Sequence, residues 1–231
     1  MNQIDKRKRE IEERIATACE RAGRERSSVQ VIAVTKSIST ERTEDVVRAG
    51  YTQLGENRPE GLMEKGAHFL KGAVDWHFIG NVQSRRVKDI IPHAQVIHSL
   101  QTLSVAKQIE SRAEQVIDCF VQVNASEEDS KSGLAVDEVR PFIEQLQSFE
   151  HLRVVGLMTM APLTEDEAII RQTFRTLATL QREIEALQLE HAPCHFLSMG
   201  MSNDFEIAIE EGATHIRIGT ALVGSESEGS L

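Results

Sequence analysis

The chain has 231 residues, which is enough for one large α/β domain and leaves little room for a second. Its 36 acidic residues outnumber 26 basic ones, and the net charge of −10 argues against binding to nucleic acid or to anionic membranes. No apolar run reaches the length of a membrane span, and the three cysteines lack a C-x-x-C pair, so we expect a cytoplasmic protein with reduced, packed thiols and no metal site.

The chain opens with a helical pattern and then a strand. Ile4, Ile11, Ile15 and Ala18 fall on one face of a predicted helix that Gly23 ends. The run V-I-A-V-T at 31–35 follows, and it is apolar on both faces, which is typical of a strand buried in a parallel sheet.

Lys36 comes directly after that strand. The carboxyl ends of strands in such folds carry the functional residues, so we expect a partly desolvated amine that can attack an aldehyde and form a Schiff base. The alternative is a lysine with a packed stem and a solvated head, which the first strand alone favours.

Strand and helix patterns alternate along the rest of the chain. The clearest helical segment is 165–189, where we expect one apolar stripe. This alternation favours a single (β/α)8 barrel of the α/β class, spanning 1–231 with an added N-terminal helix, over an open doubly wound sheet. The stripe is Ile169, Phe174, Leu177, Leu180, Ile184 and Leu187, and the further strands are 52–55, 74–80, 95–99, 118–124, 153–158, 195–199 and 215–219.

Polar residues follow several of these strands. Asn57 comes after the second strand, and capping of the helix that Pro59 opens is the alternative to ligand binding. His77 belongs to the third strand and could equally be a hydrogen-bonded core histidine. Lys131, in the polar loop after the fifth strand, is a second available amine that could simply be solvated.

Two small polar turns follow the seventh and eighth strands, S-M-G-M-S-N-D at 198–204 and R-I-G-T-A at 217–221. Bare backbone amides, glycine and hydroxyl groups at this place in a barrel favour phosphate binding, although Ser202 and Thr220 could instead cap helices. An amine and a phosphate cradle at one barrel mouth call for a ligand with both an aldehyde and a phosphate. Pyridoxal 5′-phosphate fits that description.

The motifs V-I-A-V-T-K, G-E-N at 55–57, W-H-F-I-G-N-V-Q at 76–83, S-K-S-G at 130–133 and G-L-M at 156–158, with the two turns, cover essentially the whole chain. With them the chain resembles the pyridoxal-phosphate homeostasis protein family, which is related in fold to the barrel domain of alanine racemase. One departure is that Arg85 and Arg86 stand where the family usually has asparagine and lysine.

The resemblance implies that pyridoxal 5′-phosphate forms a Schiff base with Lys36. It also implies that Asn57 and Met158 lie near the ring and that Arg217 faces the pyridine nitrogen. Around the phosphate it places four residues, Ser198, Ser202, Gly219 and Thr220.

Arg217 bears on the chemistry because a guanidinium donates hydrogen bonds and accepts none, so a pyridine nitrogen facing it stays unprotonated and is a poor electron sink. Racemisation would need a second acid or base, which in the racemase relatives is a tyrosine from an added β domain of a partner subunit. The single tyrosine here, Tyr51, is expected at the opposite end of the second strand. We therefore expect a protein without enzymatic activity.

The function that we expect is reversible binding of pyridoxal 5′-phosphate, as a carrier or buffer in vitamin B6 homeostasis with effects on amino-acid and keto-acid pools. Candidate partners are apoenzymes that accept the cofactor, and we expect a monomer. Two alternatives stay open, a racemase that uses His77 or Lys131 as second base, and a Schiff-base aldolase acting on a sugar phosphate.

Overall fold

The computed structural model describes residues 3–126 and 132–225. Within these ranges eight parallel strands pair in chain order, and the last strand pairs with the first, which closes a barrel. This confirms the predicted (β/α)8 architecture and excludes an open sheet. The strands are β1 (Gln30–Val34), β2 (Gln53–Glu56), β3 (Asp75–Phe78), β4 (Val96–Leu100), β5 (Ile117–Gln122), β6 (Leu152–Met158), β7 (Phe196–Met201) and β8 (His215–Ile218).

Helices follow the strands and surround the barrel. The longest two have 19 residues each, and several of the others are only a turn or two long. In the described part of the chain they are α1 (Gln3–Arg21), α2 (Thr40–Arg48), α3 (Pro59–His68), α4 (Val87–Ile90), α5 (Leu103–Arg112), α6 (Val136–Glu144), α7 (Glu167–Glu185), α8 (Phe205–Glu210) and α9 (Thr220–Val223).

The N-terminal helix α1 precedes the barrel and packs on α8 and α9. Its predicted apolar face is confirmed, since Ile4, Ile11, Ile15 and Ala18 are all buried. Gly23 follows the helix with a φ of +63°, a left-handed conformation that glycine adopts without steric cost and that commonly ends helices. The helix therefore covers the side of the barrel where the chain closes.

Helix α7 ends at Glu185, so Leu187 of the predicted stripe lies beyond it and is half-buried, and the prediction that Ile169 faces the core is wrong. Ile169 is 47% exposed, whereas its neighbour Ile170 is 6% exposed. Ile170 lies four residues before Phe174, which places both side chains on the same side of the helix, and Ile169 is rotated away by one residue.

The close packing of β6 against β7 depends on one glycine. A Cβ atom at Gly156 would lie 2.1 Å from the carbonyl oxygen of Phe196, so only glycine fits at this crossing.

The predicted packed thiols are also confirmed, because Cys19, Cys119 and Cys194 are free and buried.

None of the helices in the described ranges combines the length and the apolar character needed to cross a bilayer. The same residues contain no group of three His, Cys, Asp or Glu side chains that could hold a metal ion.

The pair Ile169 and Ile170 provides a matched test of the packing of α7. We expect Ile170→Ala to lower the free energy of unfolding by about 2–4 kcal/mol, because it leaves a cavity against the barrel. Ile169→Ala should change it by less than about 0.5 kcal/mol, because that side chain is half exposed. Urea unfolding followed by circular dichroism measures both, and equal losses would contradict the assigned helix face.

Candidate functional site

The strand order gathers all eight predicted site residues in one sector of the barrel. They come from five neighbouring strands, β6, β7, β8, β1 and β2. Most lie at or just beyond the carboxyl ends of these strands, while Ser198 and Arg217 lie deeper in the barrel. These residues, with the turns that hold them, form the candidate site.

Lys36 lies in the turn that follows β1. The strand ends at Val34, and Thr35, which is fully buried, donates its N–H to Gly55 O at 3.0 Å. The prediction that Lys36 is partly desolvated is wrong, because its side chain is exposed. Burial ends one residue earlier, at Thr35, where the chain leaves the strand. Within residues 3–126 and 132–225 no hydrogen bond or ion pair engages the Lys36 amine.

The turns after β7 and β8 lie side by side, because Met201 pairs with Arg217 in the sheet. Neither turn uses its hydroxyl residue as a helix cap. The cap of α8 is Asp204, whose carboxylate accepts the N–H of Met201 at 2.6 Å, and the cap of α9 is Gly219. The capping alternatives for Ser202 and Thr220 are therefore not observed.

Gly219 directly follows β8, which pairs with β1 in the closed barrel. Among the described residues, a Cβ atom at Gly219 would meet only the Val34 side chain, at 3.9 Å, so these residues leave open space over the turn next to β1. Ser202 is half-buried and Thr220 is exposed, and both border the same end of the barrel. The turn of β8 and the turn that carries Lys36 are thus neighbours.

Arg217 lies inside the barrel below these turns and is 5% exposed. Its guanidinium donates to Ser198 Oγ and, at 3.0 Å, to the carbonyl oxygen of Thr159. Burial lowers the pKa of Arg217 to about 10, so the group is still charged at neutral pH. These two contacts use two of its five N–H donors and fix its plane.

A line of hydrogen bonds runs from Arg217 through the barrel interior to the exposed Asp75. We call it the histidine chain. The contacts are Ser198 Oγ to His98 Nδ1 at 2.8 Å, His98 Nε2 to His77 Nδ1 at 2.9 Å, His77 Nε2 to Gln53 Oε1 at 2.7 Å, and Gln53 Nε2 to Asp75 Oδ2 at 2.6 Å.

The direction of every donor in the histidine chain follows from its two ends. The Asp75 carboxylate only accepts, so the Gln53 amide donates to it and accepts from His77 Nε2. His77 Nδ1 then accepts from His98, whose other nitrogen accepts from Ser198. At the far end the guanidinium only donates to the Ser198 hydroxyl. Each group therefore donates toward Asp75.

Both histidines of the chain are neutral. Burial lowers the pKa of His77 to about 3, and burial also holds the pKa of His98 well below its usual value. The core alternative for His77 is confirmed, because this side chain is buried and hydrogen-bonded on both ring nitrogens.

The histidine chain also shows where Ser198 lies. The resemblance placed Ser198 beside a phosphate, but its hydroxyl is fully buried between His98 and Arg217. Its observed contacts support Arg217 from within the barrel. His98 was not among the predicted site residues, although a histidine directly after Val96 and Ile97 in the predicted strand 95–99 was a signal of a buried polar contact.

Asn57 and Met158 border the site from β2 and β6. The helix cap of α3 is Arg58, so Asn57 does not cap that helix. A Cβ atom at Gly80 would lie 2.0 Å from the Asn57 carbonyl oxygen, which shows how closely the two loops approach. Met158 is buried with Phe120 and Val155 at the end of β6.

Tyr51, the single tyrosine of the chain, lies away from the candidate site. Tyr51 is buried ahead of β2, at the amino-terminal end as predicted, and its hydroxyl contacts Glu12 Oε1 at 3.3 Å. Lys131 lies outside the described residues. Of the two unusual arginines, Arg86 pairs with Glu60 and Asp89, and Arg85 contacts Gln83.

The chain matches the family model of the alanine racemase N-terminal domain over residues 7–227. It is also 36% identical over 230 residues to the pyridoxal phosphate homeostasis protein of Aquifex aeolicus, covering 97% of this chain and 98% of that protein. The chain belongs to the pyridoxal phosphate homeostasis protein family.

Solved structures agree with this assignment. PipY of Synechococcus elongatus with pyridoxal phosphate bound superimposes with a TM-score of 0.79 at 29% identity, covering 93% of this chain and 100% of that one. Alanine racemase of Corynebacterium glutamicum has a TM-score of 0.63 at 17% identity and covers 96% of this chain and 62% of its own, which shows the shared barrel fold.

The neutral histidines predict how the stability of this family member depends on pH. Since the folded pKa values of His77 and His98 lie below that of an unfolded histidine, near 6.5, the unfolded state binds more protons as pH falls below that value. The free energy of unfolding should therefore be highest above pH 6.5 and fall on acidification, by up to about 1.4 kcal/mol per pH unit for each histidine.

Urea unfolding of wild type and His98→Gln between pH 7.5 and 4.5 tests this expectation. Glutamine can still donate and accept but does not titrate, so the variant should lose less stability on acidification than wild type. Some loss should persist in both proteins, because burial also lowers the pKa of His215, to about 4. Parallel pH profiles would show that the His98 ring is not the neutral group that the geometry indicates.

Proposed function

We propose that this protein binds pyridoxal 5′-phosphate as a Schiff base on Lys36 and acts as a carrier or buffer in intracellular vitamin B6 homeostasis. The observation that carries the proposal is an exposed, unpaired amine, within the described part of the chain, beside the open turn at Gly219. The homeostasis protein of Aquifex aeolicus and the ligand-bound PipY structure support the choice of ligand.

The residues present fit the three parts of this ligand. When bound, pyridoxal 5′-phosphate supplies an aldehyde that exchanges between amines, and Lys36 offers an accessible amine. We assign the phosphate to Ser202, Gly219 and Thr220, where the space over the glycine is open. Arg217 would donate to the pyridine nitrogen, and Asn57 and Met158 would border the ring.

The site residues favour holding the cofactor over catalysis. Arg217 is fixed by Ser198 and Thr159 and remains charged, so a ring nitrogen facing it is not protonated and stores carbanion charge poorly. The racemase alternative needs a second base at the mouth. Tyr51 lies at the other end of the barrel, and His77 is buried in the histidine chain with both nitrogens engaged.

A carrier of this kind would act on metabolism indirectly. Many enzymes that interconvert amino acids and keto acids use pyridoxal phosphate. We propose that their apoenzymes are the acceptors of the bound cofactor, so that loss of this protein would disturb both pools.

The first test is to add pyridoxal 5′-phosphate to purified protein, record the visible absorption, reduce with borohydride and locate the modified peptide by mass spectrometry. We expect a single adduct on Lys36, lost in Lys36→Ala with at least a tenfold weaker binding. Lys71→Ala is the matched control, because Lys71 is exposed but precedes β3 at the opposite end of the barrel. Adducts scattered over surface lysines would contradict the proposal.

A second test separates a carrier from an enzyme. Loaded protein should restore activity to a pyridoxal-phosphate-dependent apoenzyme, and loaded Lys36→Ala should not exceed free cofactor. The loaded wild type should show no racemisation, decarboxylation or transamination of amino acids above the Lys36→Ala background. Turnover of any amino acid that disappears with Lys36 would establish an enzyme instead.

A further inference from the structure

A second lysine lies buried close to Lys36. Lys65, on α3, forms an ion pair with Glu56, the last residue of β2, with Nζ 2.7 Å from Oε1. The two side chains are 6% and 2% exposed. Both charged groups of this ion pair are therefore shielded from water.

Both members of this pair contact Thr35, the residue directly before Lys36. The Thr35 hydroxyl donates to Glu56 Oε1 at 2.7 Å. The Lys65 ammonium donates to the Thr35 carbonyl oxygen, also at 2.7 Å. That carbonyl belongs to the peptide group that joins Thr35 to Lys36, so the ion pair holds the backbone from which the reactive side chain projects.

The remaining polar atoms of Thr35 are engaged as well. Its N–H donates to Gly55 O at 3.0 Å, and its carbonyl oxygen also accepts the N–H of Ile38 at 3.1 Å. The end of β1 is therefore fixed from β2, from α3 and from its own turn. Lys36, one residue further, has none of these restraints on its side chain within the described ranges.

Helix α3 has to approach closely for this contact to form. A Cβ atom at Gly61 would lie 2.9 Å from Glu56 Oε2, so the carboxylate is packed against the first turn of the helix. Any larger residue at Gly61 would displace the carboxylate or the helix. The position of Glu56 is thus determined by β1 on one side and by α3 on the other.

Stability alone is a weak reason for a buried ion pair. The loss of hydration offsets most of the attraction, and two apolar side chains of similar volume often pack as well or better. Apolar side chains could hold α3 against the barrel, but they could not bond to the hydroxyl and the carbonyl of Thr35. The directional contacts to Thr35 are the property that an apolar pair would not reproduce.

We propose that the Lys65–Glu56 pair is a positioning device for the Schiff-base amine, which acts through Thr35 and makes Lys36 the lysine that reacts. The proposal rests on the function proposed above. In that reaction the Lys36 nitrogen forms a double bond to the aldehyde carbon and the aldehyde oxygen leaves as water. Lys65 takes no part, because its ammonium is buried and donates to Glu56 and Thr35.

The first experiment compares wild type with the double variant Lys65→Met/Glu56→Leu, which replaces both charges by apolar groups. We expect urea unfolding close to that of wild type. The dissociation constant for pyridoxal 5′-phosphate should rise about tenfold, because a small displacement of a reacting group is costly. The pH midpoint of the visible absorption should also shift, which a purely structural role would not produce.

Thr35→Val and Thr35→Ser provide a second, milder comparison. Valine keeps the shape of threonine and loses the hydroxyl that bonds to Glu56, whereas serine retains it. Valine should weaken cofactor binding several-fold and serine should not, with little change in melting temperature for either. This pair decides the question if the double variant does not fold.

The outcomes separate the two proposals. If wild type forms no adduct on Lys36, the proposed function fails. If wild type forms the adduct but the folded double variant has wild-type affinity and the same pH midpoint, the pair is structural and this inference alone is overturned. If the double variant does not fold, the same result for Thr35→Val overturns this inference. An adduct on Lys65 in wild type, found by mass spectrometry after reduction, would overturn it as well.

Discussion

The pairing of β8 with β1 is the constraint on which the site depends. Four consecutive residues of each strand are in register, from Gln30 with His215 to Ala33 with Ile218. Lys36 follows the end of one strand and Gly219 the end of the other, so closure of the barrel makes their turns neighbours. In an open sheet β1 and β8 would lie at different positions, and no local sequence signal could bring the Lys36 amine to the turn at Gly219.

The interior of the barrel contains polar side chains that support the site residue Arg217. Barrel interiors of this class are filled mainly by branched apolar side chains. Here the histidine chain replaces part of that filling, and burying it is tolerable because each polar group has a partner. Hydrogen bonds that all donate in one direction polarise one another, so the histidine chain supports Arg217 from the barrel interior as one connected series of groups.

Much of the fold was accessible from the sequence because the strands are marked by short β-branched and apolar runs between helical segments. The eight predicted strands correspond to the observed ones with shifts of one or two residues at their ends. The face of α7 was assigned one residue off at Ile169, because two adjacent isoleucines fit a helical stripe about equally well. Packing against the barrel distinguishes them.

The polar contacts were harder to predict from the sequence than the fold, because each contact depends on the position of a second helix or strand. Burial of Lys65 follows from the approach of α3 at Gly61, and in sequence this residue resembles any exposed helix lysine. The partners of His98 come from β3 and β7, so strand register determines them. Local pattern identifies polar residues in apolar strands, but it does not identify what they contact.

The exposure of Lys36 bears on how it would hold a ligand. Desolvation was expected to activate this amine, yet the buried lysine is Lys65, which is paired and supports the backbone. We infer that the reactivity of Lys36 comes from position, set by Thr35 below it and by the turn at Gly219 beside it. An amine that is open to solvent is also open to competing amines and to water, so the proposed bond to an aldehyde would exchange readily. Ready exchange suits a protein that binds a cofactor and passes it on, whereas a closed, desolvated lysine would suit one that retains it.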